Sequence, residues 1–161
     1  MSVVALLFAV SVAQSANAAD LGAIDQTIRG VYDVISGPPG QKRDFAKMRS
    51  LFVPGATMKA IGPKGVRGGS VEDYITRNAA ILEKEGFTER ELGRRVELWG
   101  NLATAWSSYD GRTANGSFHE RGINSIQLVK TDGKWLVAYI LWQEETPENP
   151  LPAELTKGMS K

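Results

Sequence analysis

Along the chain the spacing of apolar residues changes twice. Val3 to Ala13 is almost uninterruptedly apolar, and no charged residue precedes Asp20. A run of about eleven apolar positions followed by Ala16-Asn17-Ala18 has the form of a secretion signal with its small-residue cleavage site. Met1-Ser2 lacks the usual Lys or Arg, so a buried N-terminal helix stays open as the alternative. The run falls short of the roughly twenty apolar residues a membrane span needs. From Leu21 the period is helical: Leu21, Ile24, Ile28, Val31, Tyr32 and Ile35 recur at three and four, with Asp20 expected as N-cap. Gly37-Pro38-Pro39-Gly40 ends this helix. A short second helix is expected behind Asp44, with Phe45, Met48, Leu51 and Phe52 inward and Pro54-Gly55 as its stop. Ala56 to Ile61 reads as a brief strand, and Gly62 to Gly69 as a surface loop or lid. Ser70 with Asp73 forms a capping-box start for a third helix, Val71 to Glu85, whose apolar face is Val71, Tyr74, Ile75, Ile81 and Leu82. Gly86 suits a left-handed stop.

Beyond Gly86 the period shortens to that of strands. Phe87–Trp99, Leu102–Arg112, Phe118–Lys130 and Trp135–Glu145 are separated by Gly100-Asn101, Asn115-Gly116 and Asp132-Gly133, all turn pairs. The charges at Glu89, Arg90, Glu91, Arg94, Arg95 and Glu97 read as a solvated face of the first strand. Pro147, Pro150 and Pro152 keep the tail out of any central strand. Helices followed by an antiparallel meander give an α+β fold, three N-terminal helices on one face of the sheet. In the last strand Trp135, Val137, Tyr139 and Leu141 alternate with Leu136, Ala138, Ile140 and Trp142. Both faces are apolar, so both call for a cover. The helices take one face; the proline-rich tail or a second subunit takes the other, and a homodimer through the sheet is the expected arrangement. The domain plan is an export segment at 1–18, one domain at 19–155 and a disordered tail at 156–161, which places the protein in a bacterial periplasm or outside the cell.

Composition narrows the chemistry. The 161 residues contain no Cys and one His, which excludes disulfides, thiolate chemistry and an all-His zinc site. Nineteen Lys and Arg against 18 Asp and Glu leave a net charge of +1, without the basic excess that nucleic-acid binding requires. There is no G-K-[ST] phosphate loop and no G-x-S-x-G elbow. No cofactor, metal or stable membrane anchor is expected. Glu144 stands at the end of an otherwise apolar strand. A two-residue loop at Asp132-Gly133 places Arg121 opposite it as an ion pair. A three-residue loop places Glu120 there instead, crowding two carboxylates.

The order helix, helix, short strand, helix, meander, with Leu51-Phe52-Val53-Pro54-Gly55-Ala56 between helix two and the first strand, resembles the NTF2-like superfamily. The stretches Arg121–Leu128, Asp132–Trp135, Leu141–Glu145 and Pro147–Pro152 are similar to bacterial members near its SnoaL-like and DUF4440-like groups. The resemblance covers roughly residues 22–155 and implies a cone-shaped pocket between helices and sheet. Isomerase-like members carry a general-base carboxylate on the first strand, whereas Thr57-Met58-Lys59-Ala60-Ile61 has none. Dehydrating members use an Asp and His pair, whereas His119 sits at a hairpin end. The resemblance also implies an oxyanion-stabilising tyrosine on helix one, which is Tyr32.

Candidate ligand-binding residues are therefore Tyr32, Tyr74, Asn78, Trp106, Asn124, Trp142 and Glu144. A buried amide must find a partner, and at Asn78 or Asn124 that partner is a ligand or a structural neighbour. The reading favours an exported, non-catalytic module with a pocket for a small apolar ligand. The alternatives are a cyclase, isomerase or hydratase-type enzyme and a structural dimer with a filled core. An enzyme requires an ionisable side chain in the cavity. A binding module requires only amides and hydroxyls there, and a filled core leaves no cavity.

Overall fold

The computed structural model describes residues 3–156, with side chains described from residue 17. The elements run α1 (Val3–Ile35), α2 (Phe45–Ser50), β1 (Phe52–Gly62), β2 (Gly65–Ser70), α3 (Val71–Glu85), β3 (Phe87–Trp99), β4 (Leu102–Thr113), β5 (His119–Thr131) and β6 (Lys134–Glu144). A 3-10 turn follows at Ala153–Leu155. The helices pack on one six-stranded curved sheet of order β2-β1-β6-β5-β4-β3, so the α+β cone read from the sequence is the fold. Among the described residues only β1 and β6 pair in parallel within the sheet. The side chains of the expected export segment and the tail beyond residue 156 lie largely outside the described residues. Among the described residues no helix is long and apolar enough to cross a membrane.

Ile24 and Ile28 of α1 are fully buried on the sheet. Asp20 caps nothing, because α1 runs through it. Its carboxylate instead accepts from Lys130 Nζ at 2.6 Å and from buried Trp135 Nε1 at 3.0 Å, tying α1 to the far end of the sheet. Asp44 caps α2 as expected, accepting from Lys47 N at 2.8 Å. Pro54-Gly55 does not stop that helix. Leu51 ends it, and Pro54-Gly55 falls in an irregular stretch of β1, where the pairing with β6 jumps between Phe52 and Thr57. The expected loop at Gly62 to Gly69 is a hairpin whose returning arm, β2, forms the sheet edge. Its glycines hid the strand, since they supply no alternating side chains. The Ser70–Asp73 capping box is present in full.

Two bulges decide which side chains face the helices. In β3 the pairing with β4 slips between Glu91 and Gly93, leaving Leu92 unpaired. In β6 it slips at Ala138, so Leu128 faces Val137 while Gln127 faces Tyr139. The strict alternation expected for β6 is thereby corrected: Trp135 and Val137 share the core face with Ile140 and Trp142, and Tyr139 and Leu141 point the other way. The Asp132-Gly133 loop has two residues, as Thr131 pairs with Lys134, and both loop residues have positive φ. The bulge nevertheless sets Glu144 opposite Gly122, so neither expected partner of Glu144 occupies that position. Arg121 pairs with Glu145 at 3.3 Å instead.

The tail crosses the convex face. Leu155 is buried, its carbonyl accepts from Ser108 Oγ, and it lies so close over Gly93 that a Cβ there would strike its backbone. Trp99, Leu102 and Trp106 on the same face stay exposed.

Candidate functional site

Between α1, α3 and the concave face of the sheet lies a cavity of about 720 Å³. Val31, Ile35, Met58, Ala60, Ile126 and Ile140 give it mostly apolar walls. Of the residues singled out from the sequence, Tyr32, Tyr74, Asn78, Asn124 and Trp142 line it. Trp106 and Glu144 do not. Trp106 is on the convex face, where Arg95 lies 5.9 Å from its ring centroid. Trp106 and Glu144 border a smaller cleft beneath Pro150-Leu151-Pro152. His119 is likewise outside, exposed and 3.4 Å from Asp110. Ile81, expected in the core, is half exposed and lines the cavity.

The sequence pattern missed the carboxylate that dominates the cavity. Glu89 of β3 is half-buried and lines it. Desolvation pushes its carboxyl up to about 7, an Asn124 hydrogen bond pulls it down, and the Glu120 charge pushes it up again. Asn124 Nδ2 donates to Glu89 Oε1 at 3.3 Å and to Tyr32 Oη at 3.1 Å. The Glu89 backbone is fastened to α1, its N–H donating to Ser36 Oγ at 3.0 Å. The expectation that the β3 charges form one solvated face fails at the bulge. Glu89, Glu91 and Arg94 turn inward, and Arg90, Arg95 and Glu97 turn out. With Leu92 looped out of register, inward positions fall at 89 and 91, then at 94, so no single parity marks the buried charges.

A second carboxylate, Glu120, also lines the cavity and accepts a hydrogen bond from Tyr109 Oη. Burial raises its pKa, Tyr109 lowers it, and the Glu144 charge raises it. Glu120 and Glu144 do not face each other across the strands, as the three-residue loop would have required, although the Glu144 charge still acts on Glu120. Gly122 makes room for this arrangement, since a Cβ there would meet the Tyr109 hydroxyl and the Gln143 carbonyl.

The tyrosines divide into engaged and free. Tyr32 Oη is bonded to Ser107 Oγ at 2.6 Å as well as to Asn124. Burial raises the Tyr74 pKa, with the Glu89 charge adding to it, and no hydrogen bond to any described residue acts on its hydroxyl. Asn78 donates from Nδ2 to the Tyr74 carbonyl at 2.8 Å, which commits its amide nitrogen within α3. Among the described residues no group of three or more His, Cys, Asp or Glu is placed to hold a metal ion.

No protein-family model matches the chain, and no curated protein does. Solved structures do. An NTF2-like protein of unknown function from Shewanella baltica OS155 aligns at 18% identity over 80% of this chain and 96% of its own, with a TM-score of 0.59. A proposed scytalone dehydratase from Novosphingobium aromaticivorans aligns at 14% identity over 92% of this chain and 99% of its own, TM-score 0.65. A protein of unknown function from Mycobacterium tuberculosis aligns at 16% identity, covering 89% of this chain and 86% of its own, TM-score 0.67. Aligned over most of their lengths with these structures, and with its helices packed on one curved six-stranded sheet, the chain has the NTF2-like fold.

Proposed function

We propose that this domain is a proton-transfer enzyme for a small, mostly apolar carbonyl compound, of the isomerase or dehydratase kind, with Glu89 as general base and Tyr74 as hydrogen-bond donor to the carbonyl oxygen. The observation that carries this reading is Glu89 itself, a carboxyl near 7 in an apolar cavity. A base works best with a pKa near the operating pH. In the proposed step Glu89 takes a proton from the carbon next to the carbonyl, and the electron pair moves onto the carbonyl oxygen. The unengaged Tyr74 hydroxyl stabilises that oxygen. Returning the proton to a different carbon isomerises the substrate; passing it instead to a hydroxyl on the next carbon, as the electron pair returns to form a C=C bond and the C–O bond breaks, releases water and dehydrates it. A neighbour of similar fold bears a dehydratase name, which agrees with this class.

The cavity volume argues against a filled structural core. Three carboxylates in its lining, Glu85, Glu89 and Glu120, argue against a site of amides and hydroxyls alone. The apolar walls also suit a non-catalytic binding module, and one experiment separates the two. Cyclohexanone and acetophenone are incubated with the protein in deuterium oxide, and exchange of the protons next to the carbonyl is followed by NMR. Catalysed exchange that Glu89→Gln reduces at least a hundredfold supports the enzyme. Saturable binding without exchange supports the module. Export through residues 1–18, a SnoaL-like affiliation and pairing of two copies through the convex face belong to the same proposal.

A further inference from the structure

We infer that the Arg94–Glu91 ion pair fixes the direction of a hydrogen-bond chain through Ser107 and Tyr32, so that Asn124 is a positioning residue locked with its N–H toward Glu89 and Tyr32 is unavailable as a donor to any ligand. This rests on Glu89 being the working carboxyl. The chain can be followed proton by proton. Arg94 Nη2 donates to Glu91 Oε2 at 2.8 Å and to Asp25 Oδ1 of α1 at 2.8 Å, and Asp25 is held in turn by Arg29. Glu91, as a carboxylate, can only accept, so Ser107 spends its single proton on Glu91 Oε1. Ser107 is fully buried, and its oxygen is left as an acceptor for Tyr32 at 2.6 Å. Tyr32 therefore spends its own proton on Ser107 and can only accept from Asn124. That fixes the Asn124 amide: Nδ2 gives one hydrogen to Tyr32 and the other to Glu89 Oε1.

The consequence departs from what the family resemblance implies. The helix-one tyrosine is an anchor here, and the free hydroxyl in the cavity is Tyr74. The chain also stabilises the ionised form of Glu89, since its last donor points at the carboxylate. The other titratable or charged groups of the cavity that holds Glu89 are Glu120 from β5, Tyr109 from β4, Tyr74, Arg77 and Glu85 from α3, Arg67 from β2 and Tyr32 from α1. None of these is substituted in the variants below, and the negative charge that Glu91→Gln removes would by itself lower the Glu89 midpoint, so a rise at Glu89 reports the direction of the chain.

Glu91→Gln is close to isosteric and reverses the chain. The Gln oxygen must face Arg94, which turns its NH₂ toward Ser107. Ser107 then donates to Tyr32, Tyr32 donates to Asn124, and the amide rotates to set its oxygen against Glu89. The test is a carboxyl-carbon NMR titration of Glu89 in the ligand-free protein, together with the side-chain amide signals of Asn124. Glu91→Gln is expected to raise the Glu89 midpoint by about one pH unit, a tenfold shift in its proton equilibrium, and to displace the Asn124 signals. Ser107→Ala, which robs Tyr32 of its acceptor, is expected to do the same and serves if Glu91→Gln does not fold. A Glu89 midpoint and Asn124 signals unchanged in a folded variant overturn the inference. Because the readout needs no turnover, failure of the exchange assay removes the catalytic role of Glu89 without touching this chain.

Discussion

Glu89 has a cost that the rest of the fold must carry. Its carboxyl has an ordinary value of 4.5 and is pushed to about 7 in the folded chain, chiefly by desolvation. Between those values the folded state holds a proton that the unfolded state has released. Stability is therefore greatest below about pH 4.5 as far as this group is concerned, and it declines as pH rises to about 7. Glu89→Gln keeps an oxygen for the Asn124 donor and removes the charge. The substitution should add on the order of 1–2 kcal/mol at pH 8, a figure discounted for water in the cavity, and little at pH 5. Urea melts at the two pH values check this, and an equal gain at both would show that Glu89 is well solvated. A destabilising carboxyl kept in a cavity wall fits a residue retained for chemistry.

At the scale of elements, the bulges govern function more than the strands do. Element types other than β2, and most boundaries, were legible because each rested on a local signal: Asp44 and the Ser70–Asp73 box for helix starts, Gly86 for a stop, paired turn residues for the hairpins. The cavity side chains supplied by α1 and α3 were legible too, since helical spacing puts Tyr32, Tyr74 and Asn78 toward the sheet. Glu89 was not, because a bulge at Leu92 changes the parity of β3 midway, and its one local sign, Gly93, does not say which charges turn inward. The Ala138 bulge likewise hid the true partner of Glu144. The β3 bulge also seats the tail, as Gly93 next to it lies under the Leu155 backbone. Gly93→Ala should lift the Ala153–Leu155 turn from the sheet, with a loss of about 1–2 kcal/mol and rapid protease cleavage in the released tail. Persisting protection of that segment would mean that Ser108 alone holds it.

Across the whole molecule the two sheet faces are treated differently. The concave face is closed by helices around the cavity, while the tail covers only one part of the convex face. Beyond the tail, Trp99 is 82% exposed, Leu102 52% and Trp106 43%, a grouping of large apolar side chains across the β3–β4 end of the sheet. Apolar groupings of that kind mark association surfaces, and a stable pair needs about 800 Å² from each partner. The expected outcome is a dimer in sedimentation equilibrium at micromolar concentration, weakened at least tenfold by Trp99→Ser combined with Trp106→Ser. Because both side chains point away from the cavity, the double variant should retain the ketone exchange of the parent chain. A monomeric parent would mean that the tail is the only cover this face requires. Loss of exchange together with pairing would instead mean that the second copy holds the sheet in the curvature that brings Glu89 and Tyr74 to one cavity.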